Sequence, residues 1–402
     1  MRSRFRNQHV MEPSGAYPMD RLRIAAVIIV ALLPPAAGAA ILWVVPVEGL
    51  TADRTAVAAR DFTALWMAGR LALTHALDIL TDPALYSAAL RSRFGAGFPD
   101  QIWPYPPPFL LLAAPLSKLP LVAGFLLYTA ATPAALWIAL RLGGFGAAAC
   151  AAVLSSPAVA DNALTGQNGA LTAALLTGGL LLVDSRPVIA GLLLGALVIK
   201  PQLGLLVPIC LLASGRWRIL FAAGASSVAL AVASGLLFGM EAWTDLWFRS
   251  RPLASAYLES PWRGLPSQQI FASVFMAARS LGGSLGVAYG AQAAVTLGCG
   301  LLAWRAWRMR GLDPLLRMAL TAALSVAAAP WIHAYDMPCL AACVAILLPR
   351  TRPVFRPFLV FAWFWPGAVV ILPIPLILSV ASVASIVWLA WRQVSGRAAS
   401  AR

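Results

Sequence analysis

Apolar runs separated by short arginine-bearing loops recur along almost the whole chain, and they constrain its fold more than any motif does. About 20 apolar residues in a helix cross the ~30 Å hydrocarbon core of a bilayer. Backbone groups inside lipid must find their partners within the protein, which helices do locally. With 402 residues, 60% of them apolar and 11% charged, the chain reads as an all-α polytopic membrane protein. The first run extends from Ile24 to Val45, and eleven more follow between Leu121 and Trp391, giving about twelve crossings. A cleaved signal peptide is the rival reading of the first run, because Ala37-Gly38-Ala39 mimics a cleavage site. Phe109 to Leu119, broken by Pro115 and Lys118, is short for a span and reads as re-entrant.

The formal net charge is +15, and with Lys118 and Lys200 the only lysines among 30 basic residues, the excess is arginine. It sits in short loops, which is a topology signal and not a nucleic-acid footprint. If the basic tail 1–23 is cytoplasmic, 19 Arg and four acidic residues fall inside, in loops such as those of Arg141, Arg186, Arg216 and Arg305 to Arg317. The other eleven acidic residues, Asp61 among them, then fall outside. An alternative parity, with Phe109 to Leu119 as a crossing and 188–213 as one span, puts Gln167 inside instead. Cys150, Cys210, Cys299, Cys339 and Cys343 lie in or beside apolar runs without metal-ligand spacing and read as packing thiols.

On this layout one domain spans 24–391 between the tails 1–23 and 392–402, with large extracytoplasmic loops at 46–105 and 239–266. In the first loop, Phe62, Leu65, Trp66, Gly69 and Leu73 recur at helical spacing, and Asp82-Pro83 is a helix start with Asp at the N-cap and Pro at N1. Both helices are expected to lie along the membrane surface, apolar face down. Asp61, at the head of the first, is a candidate general base at a water-membrane boundary, or else a helix cap.

The preferred parity brings Gln167-Asn168, Lys200-Pro201-Gln202, Trp331 to Asp336 and the loop Gly239 to Pro266 to the same face as Asp61. That last loop carries Trp243, Trp247, Arg249, Arg251, Tyr257, Trp262 and Arg263, a mix that suits sugar rings and phosphates. Each cluster also has a plain structural reading. Lys200 can snorkel, His333 can be a satisfied interfacial residue, Gln167-Asn168 can be a turn, and the aromatic loop can be an interfacial belt.

The combination is more specific than its parts. Asp61-Phe62 with Trp66 and Ala68-Gly69-Arg70, then Trp103, Tyr105-Pro106-Pro107, Pro115-Leu116 and Leu119-Pro120, resembles the N-terminal part of the GT-C class of membrane glycosyltransferases, with the nearest likeness to glycosyltransferase family 87. Gly166-Gln167-Asn168, Arg186-Pro187, Ala190-Gly191 with Gly195, Lys200-Pro201-Gln202, and His333 with Tyr335-Asp336 continue it. The Thr81 before Asp82 departs from the pattern, where Tyr is usual.

The resemblance implies a GT-C-like bundle in the cell membrane, with its active site on the extracytoplasmic face. The implied reaction moves a hexosyl unit, by family mannosyl, from a polyprenyl phosphate to a hydroxyl of a lipid-linked or other extracytoplasmic acceptor, with inversion. One base and cationic help for the leaving phosphate are then needed, not the two close carboxylates of a retaining hydrolase. Asp61 takes the base role by resemblance and position. Lys200, Gln202, His333, Arg249, Arg251 and Arg263 are the candidates for donor phosphate and sugar. Trp66, Arg70, Tyr105, Gln167, Asn168, Tyr335 and Asp336 are candidates for acceptor contacts or support. No ligand cluster calls for a metal, although some relatives in the class use one, and a lipid-borne donor explains the lack of a nucleotide-binding motif. Membrane lipids are expected partners, and nucleic acid is not. A lipid or glycan transporter fits Lys200 and the proline-broken segments equally well, but no paired half-repeats are visible. A non-catalytic assembly subunit is the third reading.

Overall fold

The computed structural model describes residues 60–372 and 375–400; the basic tail, the first apolar run and residues 46–59 lie outside them. The described residues are helical throughout, and their one β pairing is an isolated bridge between Phe271 and His333.

The polar segment forms α1 (Arg60–Leu73), α2 (Leu77–Thr81) and α3 (Pro83–Phe94). The expected start of α3 is present: the Asp82 carboxylate accepts from the amides of Ala84 and Leu85 at 2.8 and 3.0 Å, and Pro83 occupies N1. The expected placement of α1 is not. Eight consecutive residues, Phe62 to Gly69, are buried, while Leu73 is exposed. A helix buried around its circumference is a core element and not a surface one.

Small residues make that burial feasible. A Cβ on Gly69 would lie 2.2 Å from the Ala113 carbonyl oxygen, so α1 meets α4 (Leu110–Ser117) backbone to backbone. Phe62 wedges against Phe125 and Tyr128 of α5 (Leu121–Leu142), each ring 5.6 Å away. The Trp66 indole donates to Leu119 O at 2.9 Å, and Tyr86 OH donates to Ala64 O at 2.6 Å. The buried stripe of α3, Tyr86, Leu90 and Phe94, thus faces α1, with Phe94 edge-on to Trp66.

The chain continues through α6 (Ala147–Leu154) and α7 (Pro157–Thr165), bent by 54° at their junction, then α8 (Gly169–Leu181), α9 (Pro187–Gly195), α10 (Pro201–Gly204), α11 (Val207–Ala213) and α12 (Trp217–Phe238). Short helices α13 (Glu241–Asp245), α14 (Arg251–Glu259), α15 (Pro266–Gln269) and α16 (Val274–Ser280) follow. The chain then finishes with α17 (Leu285–Arg308), α18 (Pro314–Ala328), α19 (Pro338–Leu347), α20 (Arg356–Ile371) and α21 (Leu376–Ser400). Helix α9 packs closely on α12 because Gly191 and Gly195 leave no room for more: an added Cβ would meet Ile219 O at 2.6 Å and Ala223 O at 2.2 Å.

Among the described residues, five segments are long and apolar enough to cross a bilayer, Leu121–Leu142, Trp217–Phe238, Leu285–Arg308, Pro353–Val370 and Leu376–Gly396, or six with the bent pair as one. Six further apolar helices have 10–17 residues, including Pro107–Ser117. All eleven apolar runs read after residue 120 are helical, yet only five or six of these eleven meet the length of a full crossing, and the expected first crossing lies outside the described residues. At 1.5 Å per residue the short ones extend roughly 15–26 Å, less than the hydrocarbon core. They sit inside the bundle: α8, α18 and α19 are buried along most of their lengths, while α12 and α17 expose Val228, Leu236, Leu297 and Leu301. All five cysteines are buried and free.

Candidate functional site

Helices α8, α9 and α18 each run between two chemically different ends. At one end, Asp184 after α8 takes Arg317 of α18 and Arg216 in a double ion pair, the latter at 2.5 Å, and Asp313 lies 3.9 Å from Arg350. Partial burial works against the Asp184 charge, but the two guanidiniums outweigh it and hold its carboxyl below the usual range. At the other end lie Asn168, Lys200 and the Trp331 to Asp336 segment, around a cavity of about 1390 Å³. Ligand pockets commonly hold roughly 300–1,000 Å³, so this one has room for two substrates.

Every polar cluster singled out in the sequence reaches this cavity. Asp61 and Arg60 enter from the first turn of α1, Trp103 and Tyr105 from the proline-rich return, and Gln167 and Asn168 from the turn before α8. Lys200 and Gln202, Trp247, Arg251 and Tyr257, and Trp331, His333 and Tyr335 complete the lining. Tyr105 OH donates to Gln167 Oε1 at 3.0 Å and Lys200 Nζ donates to Asn168 Oδ1 at 3.0 Å. These contacts put Gln167 and Tyr105 at the same end of the bundle as Lys200.

Two glycines build the Gln167-Asn168 turn. Gly166 ends α7 in the left-handed region at φ 73°, with the place of a Cβ filled by Phe62 Cβ at 2.3 Å. Gly169 passes so near Tyr335 that a Cβ would lie 1.7 Å from its carbonyl oxygen. The Tyr335 carbonyl also accepts from Asn162 Nδ2 at 3.2 Å, while Asn162 Oδ1 accepts from the Ala170 amide at 3.2 Å. Asn162 was not among the residues the sequence singled out; an asparagine next to an apolar run was its one signal.

Lys200 is 4% exposed and ion-paired with Asp336, itself 1% exposed. Its ammonium also bonds Asn168 and lies 5.3 Å from the Tyr335 ring centre, so its directions are taken by the protein. The other oxygen of Asp336 accepts from the His333 amide at 3.1 Å. This sets the segment's shape, with the His333 and Tyr335 rings stacked at 4.8 Å and Tyr335 OH 3.1 Å from His333 Nδ1. Burial, and after it the charges of Lys200 and Arg60, push the His333 imidazole well below its ordinary value, so it is neutral at pH 7 and supplies no cation. Burial foremost, with the Asp336 and Asp61 charges, raises the Tyr105 and Tyr335 phenols and keeps them as O–H groups.

The remaining expected site residues divide. Arg251 lines the cavity with its guanidinium 4.3 Å over the Trp247 ring, next to a π-helical turn at Leu246–Ser250. Gln202 lines it too, with Nε2 3.5 Å from Trp331 O. Arg249 is exposed and 3.4 Å from Asp245, and Arg263 is exposed; neither lines the cavity. Trp66, buried in the α1 packing, and Arg70, exposed with its guanidinium 5.0 Å from the Trp66 ring, do not line it. Asp336 is buried behind the wall that His333 and Tyr335 present. The residue passed over at the front is Arg60, whose Nε bonds Asp61 Oδ1 at 3.1 Å. Among the described residues, no group of three or more His, Cys, Asp or Glu is placed to hold a metal ion.

A membrane bundle, helical over its described residues, with a large polar and aromatic cavity across the ends of its helices is the class of protein this geometry defines. Residues 103–330 match glycosyltransferase family 87, and since that is more than half of the chain, the protein belongs to this family. The matched stretch contains the Tyr105, Gln167, Lys200 and Arg251 parts of the cavity; Asp61 and His333 flank it on either side. No curated protein and no solved structure matches the chain.

Proposed function

We propose that this glycosyltransferase moves a hexosyl unit, mannosyl by family resemblance, from a polyprenyl-phosphate donor to a hydroxyl of an extracytoplasmic or lipid-linked acceptor, inverting the anomeric centre. The observation that carries the reading is that Asp61, exposed to the cavity by the first turn of a rigidly buried helix, shares it with Arg251 and a ring of aromatic side chains. Trp103, Tyr105, Trp247, Tyr257 and Trp331 offer faces for sugar rings and for the first isoprene units. The acceptor hydroxyl gives its proton to Asp61 as its oxygen attacks the anomeric carbon. The bond from that carbon to the phosphate oxygen breaks on the opposite side, and the phosphate leaves with the electron pair.

Two readings drawn from sequence change. Lys200 serves as a lock on the 333–336 segment, not as a phosphate ligand, because its charge is already balanced in the protein interior. His333 contributes a neutral ring to the wall. The cavity lies opposite the Asp184, Arg216 and Arg317 end, and by the positive-inside rule that end is cytoplasmic and the cavity faces the other side.

The test is transfer of radiolabelled sugar from polyprenyl-phosphate mannose into lipid by membranes holding equal amounts of wild type or Asp61→Asn. Product from the wild type and at least a hundredfold less from Asp61→Asn is expected. Undiminished transfer by Asp61→Asn removes Asp61 as the base, and wild-type transfer from a nucleotide sugar alone removes the lipid donor.

A further inference from the structure

Arg60 has a geometry that a simple charge partner for Asp61 does not require. Its Nε takes the carboxylate at 3.1 Å, and among the described residues its two Nη groups make no hydrogen bond. The side chain is one-third exposed, and it lines the cavity. Its charge is felt across that space, since it helps hold down the His333 imidazole. Of the other cations near this site, Lys200 is paired with Asp336 and Arg249 with Asp245, while Arg251 lines the cavity with its guanidinium over the Trp247 ring and forms no ion pair with Asp61 among the described residues, so Arg60 alone joins the carboxylate to the open space.

We propose that Arg60 bridges the two ends of the reaction, keeping its Nε–H on Asp61 while its Nη groups bind a non-bridging oxygen of the donor phosphate. This rests on the transferase reading of the cavity. A guanidinium forks in two directions, and each charge-assisted hydrogen bond adds about 2.8–3.1 Å, which sets the Asp61 carboxylate and the phosphate oxygen on the order of 7 Å apart. A hydroxyl bonded to a base and held about 3–3.5 Å from the carbon it attacks needs a similar span to the departing oxygen. In the step, the acceptor O–H proton moves to Asp61, the acceptor oxygen bonds the anomeric carbon, and the carbon–oxygen bond to phosphate breaks. The phosphate gains one negative charge, which the Nη groups meet, and the Asp61 proton is afterwards lost to water.

The experiment measures turnover of polyprenyl-phosphate mannose and its inhibition by a short-chain polyprenyl phosphate, the product anion, in full-length wild type, Arg60→Lys and Arg60→Gln. Thermal midpoints are matched first. Arg60→Gln is expected to raise the inhibition constant at least tenfold and cut kcat a hundredfold or more, with Arg60→Lys between it and wild type. Added guanidinium, but not ammonium, is expected to restore part of the turnover of Arg60→Ala. Wild-type transfer with an inhibition constant unchanged in Arg60→Gln overturns the bridge and leaves the transferase reading standing. A wild type that transfers no sugar and binds no polyprenyl phosphate overturns both.

Discussion

Replacing Lys200 by Met leaves the Asp336 carboxylate in a site 1% exposed, where its other hydrogen bond, from the His333 amide, does not neutralise it. Removing one member of a buried ion pair costs about 3–5 kcal/mol, or roughly two to three and a half orders of magnitude in the folding equilibrium. Asp336→Asn strands the Lys200 ammonium at 4% exposure, and a loss of the same size is expected. The double variant Lys200→Met with Asp336→Asn has no charge left to strand, and its amide oxygen keeps the acceptor role toward His333. It should lie within about 1–2 kcal/mol of wild type, a coupling of several kcal/mol between the two sites. Thermal unfolding in detergent by size-exclusion fluorescence gives the stabilities, and sugar transfer gives the activities. If Lys200 is a lock, the double variant regains both stability and donor KM. A double variant as stable as wild type but with donor affinity lost would return Lys200 to the phosphate, and singles no worse than the double would refute the burial argument itself.

Gly169→Ala forces a Cβ into the Tyr335 carbonyl and should cost about 1–3 kcal/mol and most of the activity, whereas Gly146→Ala, with open space around it, should be silent in both assays. His333 has a folded-state value below its ordinary 6.5, so the unfolded chain binds the extra proton. Its contribution to stability is therefore complete above about pH 6.5 and falls as the pH drops, and the thermal midpoint of His333→Gln should decline less between pH 7 and 5.5 than that of wild type. Asp184 is 43% exposed, so solvent screening limits the loss in Asp184→Asn to about 1 kcal/mol, with transfer kinetics unchanged because it lies at the far end from the cavity. Since the native cysteines are all buried, single cysteines at positions 164 and 186 can be labelled against a low background; labelling of the two from the same side of the membrane would refute the proposed sidedness.

The apolar runs were legible because a bilayer imposes length and composition on each helix separately, and every run read after residue 120 is helical. Their lengths were less so. Pro201 and Pro338 open new helices, and the junction before Pro157 bends by 54°, and no hydropathy profile reports whether such pieces cross, re-enter or stop inside the bundle. The misplacement of α1 has a related cause. Phe62, Trp66 and Gly69 recur at the spacing that both a surface helix and a packed helix show, and the partner that decides between them, α4, lies more than 35 residues away in sequence. Gly69 was the available signal, since a helix resting on lipid has no need of a position where only hydrogen fits.

Charge pairing was the least legible property of the site, because it depends on partners distant along the chain. Lys200 and Asp336 are 136 positions apart, and each alone looks like a functional ion in a membrane protein. Joined, they balance each other, and the other Asp and Arg side chains that line the cavity are Arg60, Asp61, Asp100 and Arg251. Arg60 was overlooked because it neighbours the proposed base, where a cation reads as its counter-ion. The same adjacency fixes the spacing of the two: they occupy consecutive positions on α1, and that helix is held by Phe62, Trp66 and Gly69. The packing that looked like a membrane-facing stripe is, on this reading, what keeps base and guanidinium in register with the cavity.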